Sequence, residues 1–386
     1  MGGPGGTAKD LRFRLVKAVG RLLHPLIRKL DLRAHPLPGQ VTLLPKRTVR
    51  WDLSKLTWIG PEPFWSAQRE YTLDAAYRVE LRDAEMIGHG VVITKKGEAV
   101  LESTLFQQSY LRRSHVEHLI VGRRFLDTER FDAVVPLTNF LDLSYFHWTL
   151  EALGRLALVE DQLKDPVWKV LISEREHRYL RNTIAFLFGL EDSRVVSSTA
   201  KRKVMARCLM VSNPHSRSVP GAGVEVYPPE HLRWLNTRGH ERIGGVRPER
   251  RNIVISRRKQ IGRKITNEEV LLQRFPQLDL EFVTLEDLDV REQVDTFAHA
   301  GVIIAVHGAG LANLVYATDA AVIELYPTAL QAKNSAYFVQ IAACLGLSHL
   351  VLHYEGTGPA PHWDATLTTE QLDHMESFLR AQGKVG

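Results

Sequence analysis

Apolar and polar positions along this chain predict an α/β protein in two halves. In the second half, Asn252-Ile253-Val254-Ile255-Ser256, Leu280-Glu281-Phe282-Val283, Val302-Ile303-Ile304-Ala305-Val306 and Ala321-Val322-Ile323-Glu324-Leu325 are short runs rich in β-branched residues. Buried parallel strands read this way. Between them, Asn267 to Phe275 and Val290 to Ala300 space their apolar residues at helical intervals, which gives βαβαβ order. In the first half, residues 75 to 135 offer short strand-like runs, such as Gly90 to Thr94 and Ala133 to Pro136. Ser144 to Leu163 then changes to helical spacing. Val167 to Ile172, Arg175 to Phe188 and Arg194 to Val196 follow as strand, helix and strand. A Pro-containing link runs from His35 to Pro45, a loop rich in Pro, Gly, Ser and Arg from Ser212 to Val224, and a hinge from Gly244 to Arg251. Residues 366 to 382 predict a closing helix, and the chain carries no internal repeat.

The start of the chain has its own pattern. Lys9 to Leu30 sets Arg12, Arg14, Lys17, Arg21, Arg28 and Lys29 among Leu11, Leu15, Val19, Leu22, Leu26 and Leu30. The apolar length suits neither a transmembrane helix nor a signal peptide. Two readings of this basic amphipathic stretch carry equal weight: it lies in the interface of an anionic membrane, or it packs its apolar stripe on the body of the protein. Pro25 kinks either version.

Composition narrows the partners. A chain of 386 residues with 44% hydrophobic and 24% charged positions is an ordinary globular protein of two domains. Its formal charge of +6 favours acidic partners. Only Cys208 and Cys344 occur, and no Asn-x-Ser/Thr acceptor, so a reducing cytoplasmic setting is expected without structural zinc or disulfides.

Three constellations carry chemistry. The strand Val302 to Val306 stops at His307-Gly308-Ala309-Gly310-Leu311-Ala312-Asn313, where a helix can begin. A crevice of this kind presents backbone N–H groups to a phosphate. After the strand ending at Ser256 comes a cationic loop with Arg257, Arg258, Lys259, Arg263 and Lys264, which brings guanidinium groups to the same sheet edge. Lys259 and Lys264 read as solvated charge, and Asn267 with Glu268 as a cap for the next helix. Glu324 ends a buried strand and needs a polar partner: hydroxyls of a ribose or sugar, or a nearby arginine. In the first half, His147 and Glu151 stand one helical turn apart, as a general base with its orienting partner or as a packing histidine with a neutralising acid. His115 and His118 lack further metal ligands, and Asp287-Leu288-Asp289 reads as capping rather than a metal motif. No metal site or cofactor is expected. Gly-x-Ser-x-Gly and P-loop patterns are absent, and a nicotinamide fingerprint fits poorly.

Taken in order, Tyr145-Phe146-His147-Trp148 with Glu151, Ser256-Arg257-Arg258 with Arg263 and Asn267-Glu268, His307 to Leu311 with Asn313, and Ile323-Glu324-Leu325 resemble glycosyltransferase family 61. The resemblance covers roughly residues 75 to 355. One departure is Glu151, which stands where the family pattern has aspartate. The resemblance implies a GT-B architecture of two Rossmann-like domains: an N-terminal segment to residue 45, an acceptor domain over 46–245, a nucleotide-sugar domain over 246–360 and a closing helix over 361–386. It further implies an inverting, metal-independent transfer from a UDP-linked nucleotide-sugar donor to a glycan acceptor, in capsule or exopolysaccharide synthesis at the inner face of the membrane. His147 or Glu151 would be the base or acceptor-orienting group. Arg257, Arg263, His307 and the Gly308 to Gly310 backbone would cradle the diphosphate, with Asn267, Leu311, Asn313 and Glu324 completing the donor site. A different class stays open: a non-catalytic protein that holds an anionic glycan or nucleic acid on the same basic surface, although no nucleic-acid motif is present.

Overall fold

The structure is a computed structural model that describes residues 15, 18–20, 22–63, 65–66, 69–88, 90–104, 120–137, 144–173, 178–198, 203–213, 217–218, 225–333 and 336–386. Outside the described residues lie Leu11, Arg12, Arg14, Lys17 and Arg21 of the amphipathic stretch, His115, His118, residues 139–143 and most of the 212–224 loop. The fold is α/β with mixed sheets and separates into two compact units. Unit 1 comprises Met1–Lys46, Asp74–Ala185 and Gly189–His215; unit 2 comprises Arg47–Leu73, Phe186–Phe188 and Ser216–Gly386. Both are discontinuous in sequence: unit 2 takes in the excursion Arg47–Leu73 and otherwise begins at Ser216, ahead of residue 246.

Unit 1 is built on a mixed sheet of nine strands among the described residues. At its centre Lys203–Ser212 pairs antiparallel with Ala76–Ile87 and parallel with Thr128–Pro136. Trp168–Ser173 and Val195–Ser198 then extend the parallel side, as the alternation there predicts. The helix expected over 144–163 is broken into pieces: Tyr145–His147 is α-helical, Trp148–Ala152 is a π-helical turn, and α-helix resumes at Leu153–Ala157 and Glu160–Leu163.

Unit 2 holds six parallel strands: β1 (Leu56–Ile59), β2 (Arg251–Ile255), β3 (Leu280–Val283), β4 (Ala300–Val306), β5 (Ala321–Pro327) and β6 (Ser348–Tyr354). Their order is β3-β2-β4-β5-β6-β1. Helices α1 (Pro229–Ile243), α2 (Glu269–Arg274), α3 (Val290–Ala298), α4 (Tyr337–Leu345) and α5 (Thr369–Ala381) cover the two faces. On one face Val254, Ile304, Ile323, Leu325 and Leu352 pack with Leu271, Phe275, Met375 and Phe378 of the segments around α2 and α5. On the other, Tyr326 and Val351 pack with Trp51, Trp65, Tyr71 and Val339. Acids expected as caps behave so at Asp289, whose side chain accepts from the Glu292 amide in a capping box.

The helix expected after His307-Gly308 is a 3-10 helix, Ala309–Tyr316. Its last carbonyls are taken by α1: Asn236 Nδ2 donates to Val315 O at 2.9 Å and Ala317 O at 3.1 Å, and His240 Nε2 reaches Tyr316 O at 2.8 Å. These bonds satisfy carbonyls that the end of a helix leaves without intrahelical donors. No helix of the described residues is long and apolar enough to cross a membrane.

Candidate functional site

Because all six strands of the larger sheet of unit 2 run the same way, their carboxyl ends share one edge. From β2 the chain goes to β3 on one side, and β4 lies on the other side of β2. That reversal opens the crevice where open α/β sheets bind ligands. The loops leaving β2 and β4 supply it with Arg257 to Gly262 and with His307-Gly308.

Two guanidinium groups meet there. Arg263 Nη1 donates to His307 O at 2.8 Å, and Arg257 Nε donates to Gly262 O at 3.3 Å. A Cβ built on Gly308 would lie 2.9 Å from Arg257 Nη1 and 3.6 Å from Arg263 Nη1, so both cations flank this glycine. Burial lowers the pKa of each from the ordinary arginine value, and at Arg257 the charge of Arg263 adds to the effect. Two like charges, partly desolvated and bonded only to carbonyl oxygens among the described residues, are stabilised by a bound anion. Arg258 is different: its Nε pairs with Glu268 Oε2 at 2.6 Å. Lys259 pairs with Asp287, at the surface as expected of a solvated charge.

The loop is held by the segment that follows β6. Arg263 has a left-handed φ of +54°, and its N–H donates to His362 O at 3.0 Å. Next to it Gly262, at φ +104°, has no room for a Cβ, which would stand 2.5 Å from His362 O. The Asn267 side chain bridges the same segment, accepting from Leu367 N at 2.9 Å and donating to Leu367 O at 3.0 Å. Asn267 is therefore a clip between two chain segments, where the sequence suggested a cap or a donor contact. Glu268 makes no side-chain cap either; it is buried and accepts from Ser256 Oγ at 3.0 Å.

His307 is set by its neighbours. Its Nδ1 meets Glu324 Oε1 at 2.5 Å, and its ring lies against Tyr326 and Phe338 at centroid distances of 4.6 and 5.2 Å. Glu324 Oε2 meets His349 Nε2 at 3.1 Å. Burial works to raise the pKa of Glu324, but hydrogen bonds and positive charge from His307 and His349 overcome it and hold the carboxyl at about 2. The ionised carboxylate is thus used up by two imidazoles, which corrects the expectation of a ribose or arginine partner. Its effect is to fix the His307 ring with Nε2 left to face a ligand.

Other residues of the turn divide by role. Ala309 is exposed beside Gly308, and as first residue of a helix its N–H has no intrahelical acceptor. Gly310 is a packing glycine, since a Cβ would stand 2.8 Å from Leu285 Cδ1. Leu311 and Asn313 are buried, and Asn313 Nδ2 donates to Gln293 Oε1 at 3.1 Å. In unit 1, His147 Nδ1 meets Glu151 Oε1 at 2.7 Å; the acid is buried and the histidine partly exposed. The π-helical turn beginning at Trp148 seats this pair, and Trp148 is anchored by its Nε1 donating to Thr183 Oγ1 at 2.7 Å. Such turns recur at functional sites. No group of three or more His, Cys, Asp or Glu side chains among the described residues is arranged to hold a metal ion.

Sequence reasoning missed His349, Tyr326, Phe338 and Tyr354. Tyr354 lies near both guanidinium groups, and its phenol, raised in pKa by burial, donates to Trp363 O at 2.8 Å. A signal existed for His349: it sits in a strand two residues from Val351, which pairs in register with Glu324, so alternation puts its side chain on the Glu324 face.

Fold and site together define an α/β protein with a cationic crevice at a sheet switch point. The model of the family described as Glycosyltransferase 61 matches residues 145–323, a span that takes in His147, Glu151, both arginines and the His307–Gly308 turn and stops one residue short of Glu324. The match supports that family and a glycosyltransferase activity, which in general joins a nucleotide-sugar donor to a glycan acceptor. Among curated proteins the chain finds no match.

Proposed function

We propose that this chain is an inverting glycosyltransferase of the GT-B type, transferring a sugar from a UDP-linked donor to a hydroxyl of a glycan during cell-surface polysaccharide synthesis. The observation that carries the reading is the approach of Arg257 and Arg263 to Gly308 beside a histidine locked by Glu324. In a single displacement the acceptor oxygen forms its bond to the anomeric carbon as the bond to the diphosphate breaks. The electron pair leaves with the diphosphate and the hydroxyl proton goes to a base. Arg257, Arg263 and the amides at Gly308 and Ala309 stabilise the departing charge, and His307, as an imidazolium with Nδ1–H on Glu324, donates from Nε2 to a phosphate oxygen. The His147–Glu151 pair is the base: Glu151 holds Nδ1 and the partly exposed ring takes the proton at Nε2.

The test is a calorimetric titration of the purified chain with UDP and a panel of nucleotide sugars, with and without chelator. Saturable, chelator-insensitive binding is expected, and Arg257→Ala or Arg263→Ala should lower turnover by about 100-fold. Unchanged turnover in both variants would overturn the cradle. Retention of anionic glycans or nucleic acid with no nucleotide sugar bound would favour a non-catalytic binder.

A further inference from the structure

Four of the six apolar positions of the N-terminal amphipathic stretch are on the outside; Leu30, at its end, packs on the core of unit 1, and Leu11 lies outside the described residues. Leu15, Val19, Leu22 and Leu26 recur at helical spacing and are all exposed, Leu22 at 78% and Leu26 at 68%. The opposite side is the packed one: Gly20, His24 and Ile27 are buried. Of the two readings that the sequence left level, packing of the stripe on the body holds at Leu30 but not at Leu15, Val19, Leu22 and Leu26.

The stripe has a neighbour in the same unit. Ile27 joins a small core with Ile120, and Leu126 packs against it. The turn between those two, Arg123–Phe125, carries Phe125 at 92% exposure, with exposed Arg124 beside it. Arg124 has no ion pair among the described residues. Two fully presented leucines and a phenylalanine on one corner of a unit are more than scattered surface apolarity. Their electrostatic setting is one-sided: residues 9–30 hold seven Lys or Arg and a single acid, Asp10. A second copy of this face would be repelled by its own sign, whereas an anionic leaflet satisfies both the apolar and the cationic parts.

We propose that Leu22, Leu26 and Phe125 form a composite face that inserts into the interface of an anionic lipid leaflet, with Arg124 at the level of the phosphates. The apolar side chains enter from two separated parts of the chain, so the docking angle of unit 1 is fixed by three points and not by a loosely tethered helix. The inference stands apart from the donor-site reading, since none of these residues belongs to it.

Co-sedimentation of the full chain with vesicles of phosphatidylcholine, and of phosphatidylcholine with phosphatidylglycerol, tests it. Binding to the anionic vesicles should be roughly tenfold or more tighter, fall with added salt, and weaken by about tenfold in Phe125→Ser and in Leu22→Ser/Leu26→Ser. Thermal melts that match the parent chain show that the variants fold. A parent chain that ignores anionic vesicles, variants that bind them as well as the parent does, or a dimer that the same substitutions dissociate would each overturn the proposal.

Discussion

Gly308 shows how one missing methyl group shapes the crevice. Its backbone is extended, with φ 172°, so nothing in its conformation demands glycine. What demands it is the guanidinium of Arg257, 2.9 Å from where a Cβ would stand. Because the obstacle is the far end of a flexible side chain, Gly308→Ala should fold and melt like the parent. Its affinity for UDP should nevertheless fall on the order of tenfold, about 1.4 kcal/mol, as the arginine is pushed off the phosphate position. Calorimetry beside a thermal melt checks this; parental affinity would mean that the arginine does not reach the ligand. At this scale the sequence was informative about chemical type and less so about partners. Arg257, Arg263 and His307 were legible because a permanent cation or an imidazole after a buried strand has few structural uses. Glu324 was legible as a group in need of a partner, but its partners, His307 after β4 and His349 on β6, are set by the pairing of strands.

Between elements, the cationic loop depends on the segment after β6. Asn267 makes two hydrogen bonds to the Leu367 backbone, and the turn at Gly262-Arg263 leans on His362. Asn267→Ala leaves an amide and a carbonyl without their partner, and about 1–3 kcal/mol of stability should be lost. Urea unfolding measures that loss, while UDP affinity should stay within a few-fold once the protein is folded; a large affinity loss without destabilisation would make Asn267 a ligand contact after all. Regular elements were well legible here. The four strands read from the second half emerge within two residues of their apolar runs, since a fully buried strand tolerates little else, whereas the strand Ser348–Tyr354 was not read. Winding was not legible: the π-helical turn beginning at Trp148 and the 3-10 helix at Ala309–Tyr316 are anchored by Thr183, Asn236 and His240, distant in sequence.

For the whole molecule, the buried Glu324 ties folding to pH. Its carboxyl sits at about 2 in the folded chain against an ordinary 4.5, so the unfolded chain takes up the proton first as pH falls. The stabilisation is complete above pH 4.5 and is lost as pH drops toward 2; by linkage it is on the order of 3 kcal/mol. Glu324→Gln should lower stability at pH 7 and flatten the acid limb between pH 4.5 and 2. Urea midpoints taken at several pH values in both proteins read this out, and parallel acid limbs would refute the assignment.

By itself the sequence determined the alternation of strand and helix, the cationic loop and the glycine turn, because these depend on neighbours within a few positions. Only the tertiary structure decided that Glu324 is spent on two histidines, that Asn267 is a clip, that Arg47–Leu73 adds a strand to the second sheet and that the N-terminal stripe faces outward. Each depends on where another segment of the chain returns, 17 residues away for His307 and Glu324 and 100 for Asn267 and Leu367, which no local spacing records.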